Sequence, residues 1–205
     1  MIFKFFPFVF CLLFFLNLNA QDFGGGGKLG ISTSQVGGDD LAGFNKAGII
    51  IGVFANRKIS PFLSFQAEMT YIHKGSNNPN MSNNNHNNYL LQDISLTYIE
   101  IPLFLQYHQN KVLKIESGVQ IGYLIKGYYN DIIGQIPNEI NPFIDYDIGL
   151  LIGMDYKHSN NISLNTRISN SILPIGKEDQ NSNTYNSITK GKYNSVLSFT
   201  LNYNF

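Results

Sequence analysis

The sequence predicts an all-β protein, an eight-stranded antiparallel up-and-down transmembrane β-barrel, and three observations predict it. The last stretch, Tyr193 to Phe205, puts Leu197, Phe199, Leu201, Tyr203 and Phe205 on one parity and Ser198, Thr200, Asn202 and Asn204 on the other. That is the period of two of a strand with one apolar and one polar face, and its length matches the roughly ten residues a tilted strand needs to cross a bilayer. Eight segments of this kind follow one another along the chain, an even number. Their connections run long, short, long, short, long, short, long, as in outer-membrane barrels with short periplasmic turns and longer external loops.

Composition agrees. The chain has 205 residues, enough for one domain. Charged residues make up 14% of it, below the roughly 25% usual in soluble domains. Lys+Arg and Asp+Glu are both 14, and this zero net charge argues against a nucleic-acid partner, which selects a basic surplus. Aromatic residues, all Phe and Tyr, suit both strands and interfacial girdles.

The chain then reads in order. Lys4 precedes an apolar run, Phe5 to Leu16, that closes at Asn19-Ala20, so residues 1–20 read as a secretory signal peptide. The one cysteine, Cys11, lies inside it and excludes a disulfide framework; Val9 and Phe10 stand where a lipoprotein signal needs small residues. Residues 21–27 read as a flexible leader and 28–205 as the barrel. The leader's GGGGK is half of a phosphate loop, but Leu29 occupies the Ser/Thr position and no helical pattern follows.

The first strand spans about Lys28 to Ser34, with Leu29, Ile31 and Thr33 on one face. The second covers about Ala47 to Asn56, where Ile50 and Phe54 blur the alternation of Ile49, Ile51, Val53 and Ala55. The third, Pro61 to His73, sets Leu63, Phe65, Ala67, Met69 and Tyr71 against Ser64, Gln66, Glu68 and Thr70. Lys74 to Leu91, with SNNPNMSNNNHNN, is too polar to pack a core and reads as a loop. The fourth strand, about Gln92 to Tyr107, alternates clearly from Tyr98 on; a bulge is expected in its first half and an irregularity at Pro102, which has no N–H to donate. The fifth, Val112 to Ile125, sets Leu113, Ile115, Val119, Ile121 and Tyr123 against Lys114, Glu116, Gly118, Gln120 and Gly122. A long loop, Lys126 to Pro142, carries Tyr128 and Tyr129. The sixth, Phe143 to Tyr156, has Asp145, Asp147, Gly149, Gly153 and Asp155 on its polar parity. The seventh runs from Ile162 to about Ser169, and the loop Ile172 to Lys190 leads to the closing strand.

In lipid every backbone group must pair within the protein, so a spanning sheet closes on itself with its apolar face outward. None of the clear apolar faces carries a charge. The inward set is then a lumen network of Glu68, Glu100, Lys114, Glu116, Asp145, Asp147, Asp155 and Arg167, with Gly118, Gly122, Gly149 and Gly153 leaving room. An eight-strand bore is about wide enough for its own side chains, so a filled, partly ion-paired lumen is expected instead of a wide pore.

Tyr98-Ile99-Glu100-Ile101-Pro102-Leu103, before a short turn, resembles the YxEIPL segment of the PorT-like outer-membrane β-barrel family. Glu68, Tyr71, Lys74 and Gly75 are similar to that family's preceding strand, and Gly30-Ile31 and Leu201 to Phe205 to its first and last strands. The resemblance covers essentially the mature chain. It implies an eight-strand outer-membrane barrel of Bacteroidota-type bacteria; the family's namesake takes part in a secretion system, while most relatives have no assigned role. The terminal Phe205, with Tyr203 and Leu201, is similar to the signal read by the barrel-assembly machinery.

Rival readings fit the residues less well. A lipid A-modifying enzyme would use a rim His such as His73 or His86, but no Gly-x-Ser-x-Gly or His-Glu-x-x-His arrangement occurs. Asp145 and Asp147 alternate on a strand instead of wrapping a calcium loop, and His108 and His158 lie in separate turns without metal-pair spacing. A soluble lipocalin-like carrier would need the faces reversed. The sequence therefore leads to a small integral outer-membrane barrel with a structural or interaction role. It is expected to have no catalytic, cofactor or metal site and to be monomeric. Its expected partners are outer-membrane lipids, the assembly machinery during insertion, and a protein reached through the external loops; a secretion-system component is the alternative.

Overall fold

Alternating side chains become two faces once each segment finds antiparallel neighbours. A computed structural model of the chain describes residues 23–37, 43–77, 93–131, 134–135, 143–176 and 192–205. Its strands are β1 (Phe23–Gly37), β2 (Lys46–Ser60), β3 (Leu63–Asn77), β4 (Asp93–His108), β5 (Leu113–Asp131), β6 (Gly134–Gln135), β7 (Tyr146–Lys157), β8 (Ile162–Ser171) and β9 (Tyr193–Asn204). β6 pairs with the end of β5 and extends it as a small hairpin. The other eight form the wall, each antiparallel to its neighbours. β1 pairs with β9 from Gly26–Asn204 to Gly37–Tyr193, and β4 pairs with β5, so the sheet has no free edge. This is the closed eight-stranded all-antiparallel barrel that the sequence predicts, with no helix among the described residues.

The faces follow the predicted parity. Ile31, Val53, Met69, Ile121, Ile152 and Phe199 are among the large apolar residues exposed on the outside. Glu68, Thr70, Gln106, Glu116, Gln120 and Asn202 are among the polar residues buried inside. Burial of polar groups beneath an exposed apolar surface is the arrangement of a protein whose solvent is lipid.

Several boundaries move. β1 begins at Phe23, so Gly24 to Gly27, read from sequence as leader, are wall: they pair with Asn56 to Val53 on β2. β3 continues through Lys74 to Asn77, residues the sequence places in a loop. Gly75 there has a φ of 146°, a conformation that suits glycine, and its N–H donates to Ser34 Oγ at 2.9 Å. β5 runs on to Asp131 and carries Tyr128 on the strand. β7 starts at Tyr146, three residues later than the sixth strand read from sequence. β4 bears out both expected irregularities. Its register with β5 shifts between Thr97 and Tyr98, and its pairing with β3 is interrupted between Ala67–Leu103 and Thr70–Glu100, at Pro102. Residues 1–20 with Cys11, His86 and most of the Asn-rich loop lie outside the described residues.

Inside, the bore has two layers. Toward the short turns it is polar. Toward the long connections it holds an apolar cluster that includes Val36, Ile50, Ile72, Leu96, Leu124 and Val196, with the buried polar side chains of Lys74, Asp147 and Asn194 beside it. Two connecting segments close over that cluster. Phe143 pairs with Gly176, Ile144 N–H donates to Ile175 C=O at 2.7 Å, and Ile175 N–H donates to Lys192 C=O at 2.7 Å. The Phe143 and Ile175 side chains are buried in the cluster.

Candidate functional site

The polar bore is built from inward positions of seven strands, and period two places them. On β3, Glu68 and Lys74 are an even number of residues apart and share the inner face, as do Glu116 on β5 and Asp147 and Asp155 on β7.

The first cluster sits around Glu68. Its Oε2 accepts from Lys28 Nζ at 2.8 Å and from Arg167 Nη1 at 2.9 Å, and its Oε1 accepts from Arg167 Nη2 at 3.2 Å and Gln66 Nε2 at 2.9 Å. Arg167 Nε donates to Glu116 Oε1 at 2.7 Å, and Asn165 Nδ2 donates to the same oxygen at 2.9 Å. The Arg167 guanidinium also lies 4.5 Å above the centre of the Phe104 ring. Two cations and two carboxylates thus neutralise one another, with charge-assisted bonds satisfying the fork of the arginine.

The second cluster surrounds Lys74, which is fully buried. Its ammonium pairs with Glu100 and with Asp147 Oδ2 at 3.1 Å, and stands 5.0 Å from the centre of the Tyr98 ring. Asp147 further accepts from Ser171 Oγ at 2.6 Å and Asn194 Nδ2 at 2.8 Å. The third lies nearest the short turns: Asp155 accepts from Ser163 Oγ at 2.7 Å and Asn202 Nδ2 at 3.1 Å, and Lys114 Nζ is 3.5 Å from its other oxygen. Ser64 Oγ lies 2.8 Å from His108 Nε2 close by.

Glycines make space for these groups. A Cβ on Gly153 would lie 2.7 Å from Glu116 Oε1, and one on Gly149 would lie 3.2 Å from Gln120 Cγ.

Of the residues the sequence assigned to the lumen, Glu68, Glu100, Glu116, Asp147, Asp155 and Arg167 are buried in the bore, and Lys114 is partly exposed at its short-turn mouth. Asp145 is not there: it precedes the first residue of β7 and is exposed at the long-connection rim. Asp145, Asp147 and Asp155 are therefore not one set of ligands, and no group of three or more His, Cys, Asp or Glu poised for a metal occurs among the described residues. His73 bonds to Tyr71 OH at 2.9 Å. The sequence reading missed Lys28, hidden behind the glycine run, and Lys74, placed beyond its third strand. With them the bore holds four cationic groups against five carboxylates, so the acid excess apparent in the sequence largely disappears. Leu201 and Tyr203 point outward, and the Tyr203 and Phe205 rings meet edge-on with centroids 6.0 Å apart.

A closed eight-strand wall with an apolar exterior and a polar, ion-paired interior defines an outer-membrane β-barrel protein. The family profile described as "Outer membrane protein beta-barrel domain" matches residues 19–176, and the chain belongs to that family and to the outer membrane. In fold it is similar to Ail, the attachment invasion locus protein of Yersinia pestis, at 10% identity and a TM-score of 0.52, covering 89% of this chain and 98% of Ail. A second Ail structure, in complex with the heparin analogue sucrose octasulfate, gives a TM-score of 0.51 at 10% identity over 90% of this chain and 99% of that one. Neisserial surface protein A is similar at 13% identity and a TM-score of 0.48 over 89% of this chain and 97% of that one. No curated protein matches the chain in sequence.

Proposed function

We propose that this protein is a sealed, non-catalytic outer-membrane barrel with a structural or interaction role. Its short turns face the periplasm and its long connections display binding surface outside the cell. The observation that carries the reading is the ion pair between Arg167 on β8 and Glu68 on β3, strands on opposite sides of the ring. With the apolar cluster and its two covering segments above it, this pair fills the bore with side chains. A bore so filled leaves the outer connections as the part available to a partner. Export by residues 1–20, monomeric insertion, contact with outer-membrane lipids, and recognition of Leu201, Tyr203 and Phe205 by the assembly machinery belong to the same proposal.

Against an enzyme stands the Ser64–His108 pair itself. Among the described residues no carboxylate bonds to the imidazole, and Gln106 Oε1 also takes the Ser64 hydroxyl at 3.3 Å. A triad needs its third member to orient the base. The test compares lipid A from wild-type and deletion strains by mass spectrometry, alongside a strain lacking residues 78–92. The reading expects unchanged lipid A in all three, and a barrel that stays heat-modifiable without residues 78–92. A lipid A species restored only by the wild-type gene would overturn it.

A secretion-system component of PorT-like type is the second reading, and one observation favours it. Tyr98 and Glu100 of the YxEIPL-like segment and Lys74 of the Lys-Gly strand end meet inside the barrel: Glu100 pairs with the Lys74 ammonium, which stands over the Tyr98 ring. The residues that carry the resemblance thus form one structural unit.

A further inference from the structure

Among the described residues, the unpaired side-chain charge at the short-turn rim is of one sign. Arg57 and Lys58 end β2, Lys111 lies in the β4–β5 turn and Lys157 ends β7. None of the four has an ion-pair partner among the described residues, and no acidic side chain is exposed at that rim among them. The nearest carboxylate, Asp155, is buried in the bore and held by Ser163 and Asn202. At the opposite rim charges of both signs are present: Lys46 is paired with Asp93 at 2.8 Å, and Asp145 and Lys126 are exposed. The chain as a whole is neutral, so the asymmetry is one of placement.

Apolar side chains accompany these cations. Ile59, Phe62 and Val112 are exposed in or beside the same turns. Arg57 is in register with Phe23 on β1 and Phe65 on β3, both exposed on the lipid-facing side. A guanidinium between two outward aromatic rings sits at the height where acyl chains give way to headgroups, and its apolar stem lies along lipid while its charge reaches the phosphate.

We infer that the Arg57–Lys58–Lys111–Lys157 rim, with Ile59, Phe62 and Val112 between its cations, is a docking surface for anionic phospholipid of the leaflet it faces. The chemistry recognised is a phosphate headgroup without a compensating cation, attached to acyl chains that the turn residues contact. This rests on the proposed orientation for which leaflet is meant, but the lipid preference does not. A soluble acidic protein would not need the apolar residues, and the outward Phe–Arg–Phe row places the Arg57 charge against lipid.

The test is native mass spectrometry of the detergent-solubilised full chain with equimolar phosphatidylglycerol and phosphatidylcholine of matched chains. Wild type should retain phosphatidylglycerol about fivefold or more over phosphatidylcholine, the attraction of about one cation near an anionic surface. Raised ionic strength should weaken it. The R57Q/K58Q/K111Q/K157Q variant, checked for heat-modifiable mobility, should lose the preference, and K46Q at the other rim should keep it. Equal retention of both lipids by wild type, or an undiminished preference in the quadruple variant, would overturn the inference. Glycerol 3-phosphate binding as tightly as the lipid would reassign the site to free phosphate. Co-sedimentation with purified peptidoglycan, lost in the quadruple variant and with no lipid preference, would reassign it to the cell wall. Orientation is read separately: N160C should resist an impermeant maleimide in intact cells, and its labelling would overturn the leaflet while leaving the lipid preference standing.

Discussion

Arg167 donates two hydrogen bonds to Glu68, at 2.9 and 3.2 Å, across the full width of the barrel. Their strands are four apart by either route around the ring, so this pair is a strut through the centre of the bore. Removing Arg167 leaves Glu68 with Lys28 and strands the charge of Glu116 in a buried site, a loss of about 3–5 kcal/mol. Arg167→Met should therefore lower the free energy of urea unfolding in lipid vesicles by that order. Adding Glu116→Gln should restore part of it, because Lys28 and Glu68 then remain as a neutral pair. A double variant no more stable than Arg167→Met alone would show that the strut acts through packing and not charge.

Gly153 tests the filling of the bore from the other direction. A methyl group there would meet Glu116 Oε1 and Thr166 C=O, each at 2.7 Å, whereas at Gly27 the nearest heavy atom would be 3.9 Å away. Gly153→Ala should cost about 1–3 kcal/mol by overpacking. Gly27→Ala should be close to neutral in the same unfolding assay, and equal costs would contradict the packing described.

The outer face should show the depth dependence of a bilayer. Ile152 lies near the middle of β7 and Tyr156 near its short-turn end, both exposed outward. A lysine near mid-depth costs about 2–4 kcal/mol and one near the interface about 0–1. Ile152→Lys should therefore destabilise the barrel in vesicles well beyond Tyr156→Lys. Equal effects would place the hydrocarbon boundary elsewhere.

Phe205 is exposed and makes its ring contact with Tyr203 on the outer wall. If it serves recognition during insertion, Phe205→Ser should lower the amount of barrel in the outer membrane of cells while leaving spontaneous refolding into vesicles unchanged. A parallel fall in both would make its role structural.

The barrel was legible in the sequence because one face meets lipid and one does not, which imposes period two on every crossing. The strand ends were not, because a ladder is held by backbone bonds that leave no side-chain signature. Gly24 to Gly27 have no side chains to alternate, yet they pair with β2 and carry the wall five residues past the expected start, hiding Lys28. Lys74 stands on the same parity as Glu68, three strand repeats further along, amid residues whose polarity read as loop. Asp145 had the right parity but falls before β7 begins, where parity no longer fixes direction. Ile50 and Phe54, which blurred the second strand, are both buried inside: Ile50 belongs to an apolar layer of the bore toward the long connections, and Phe54, level with Glu68, fills the space that Gly26 leaves. No single strand reports such a layer; it exists only when inward apolar residues from several strands meet.

The measurement that tests the central claim most directly is the conductance of the wild-type protein in planar bilayers, with incorporation verified by its heat-dependent gel mobility. A bore crossed by Arg167–Glu68 and capped by the apolar cluster predicts no unitary steps above baseline. Stable, reproducible steps from the wild type would contradict it and show that the bore conducts.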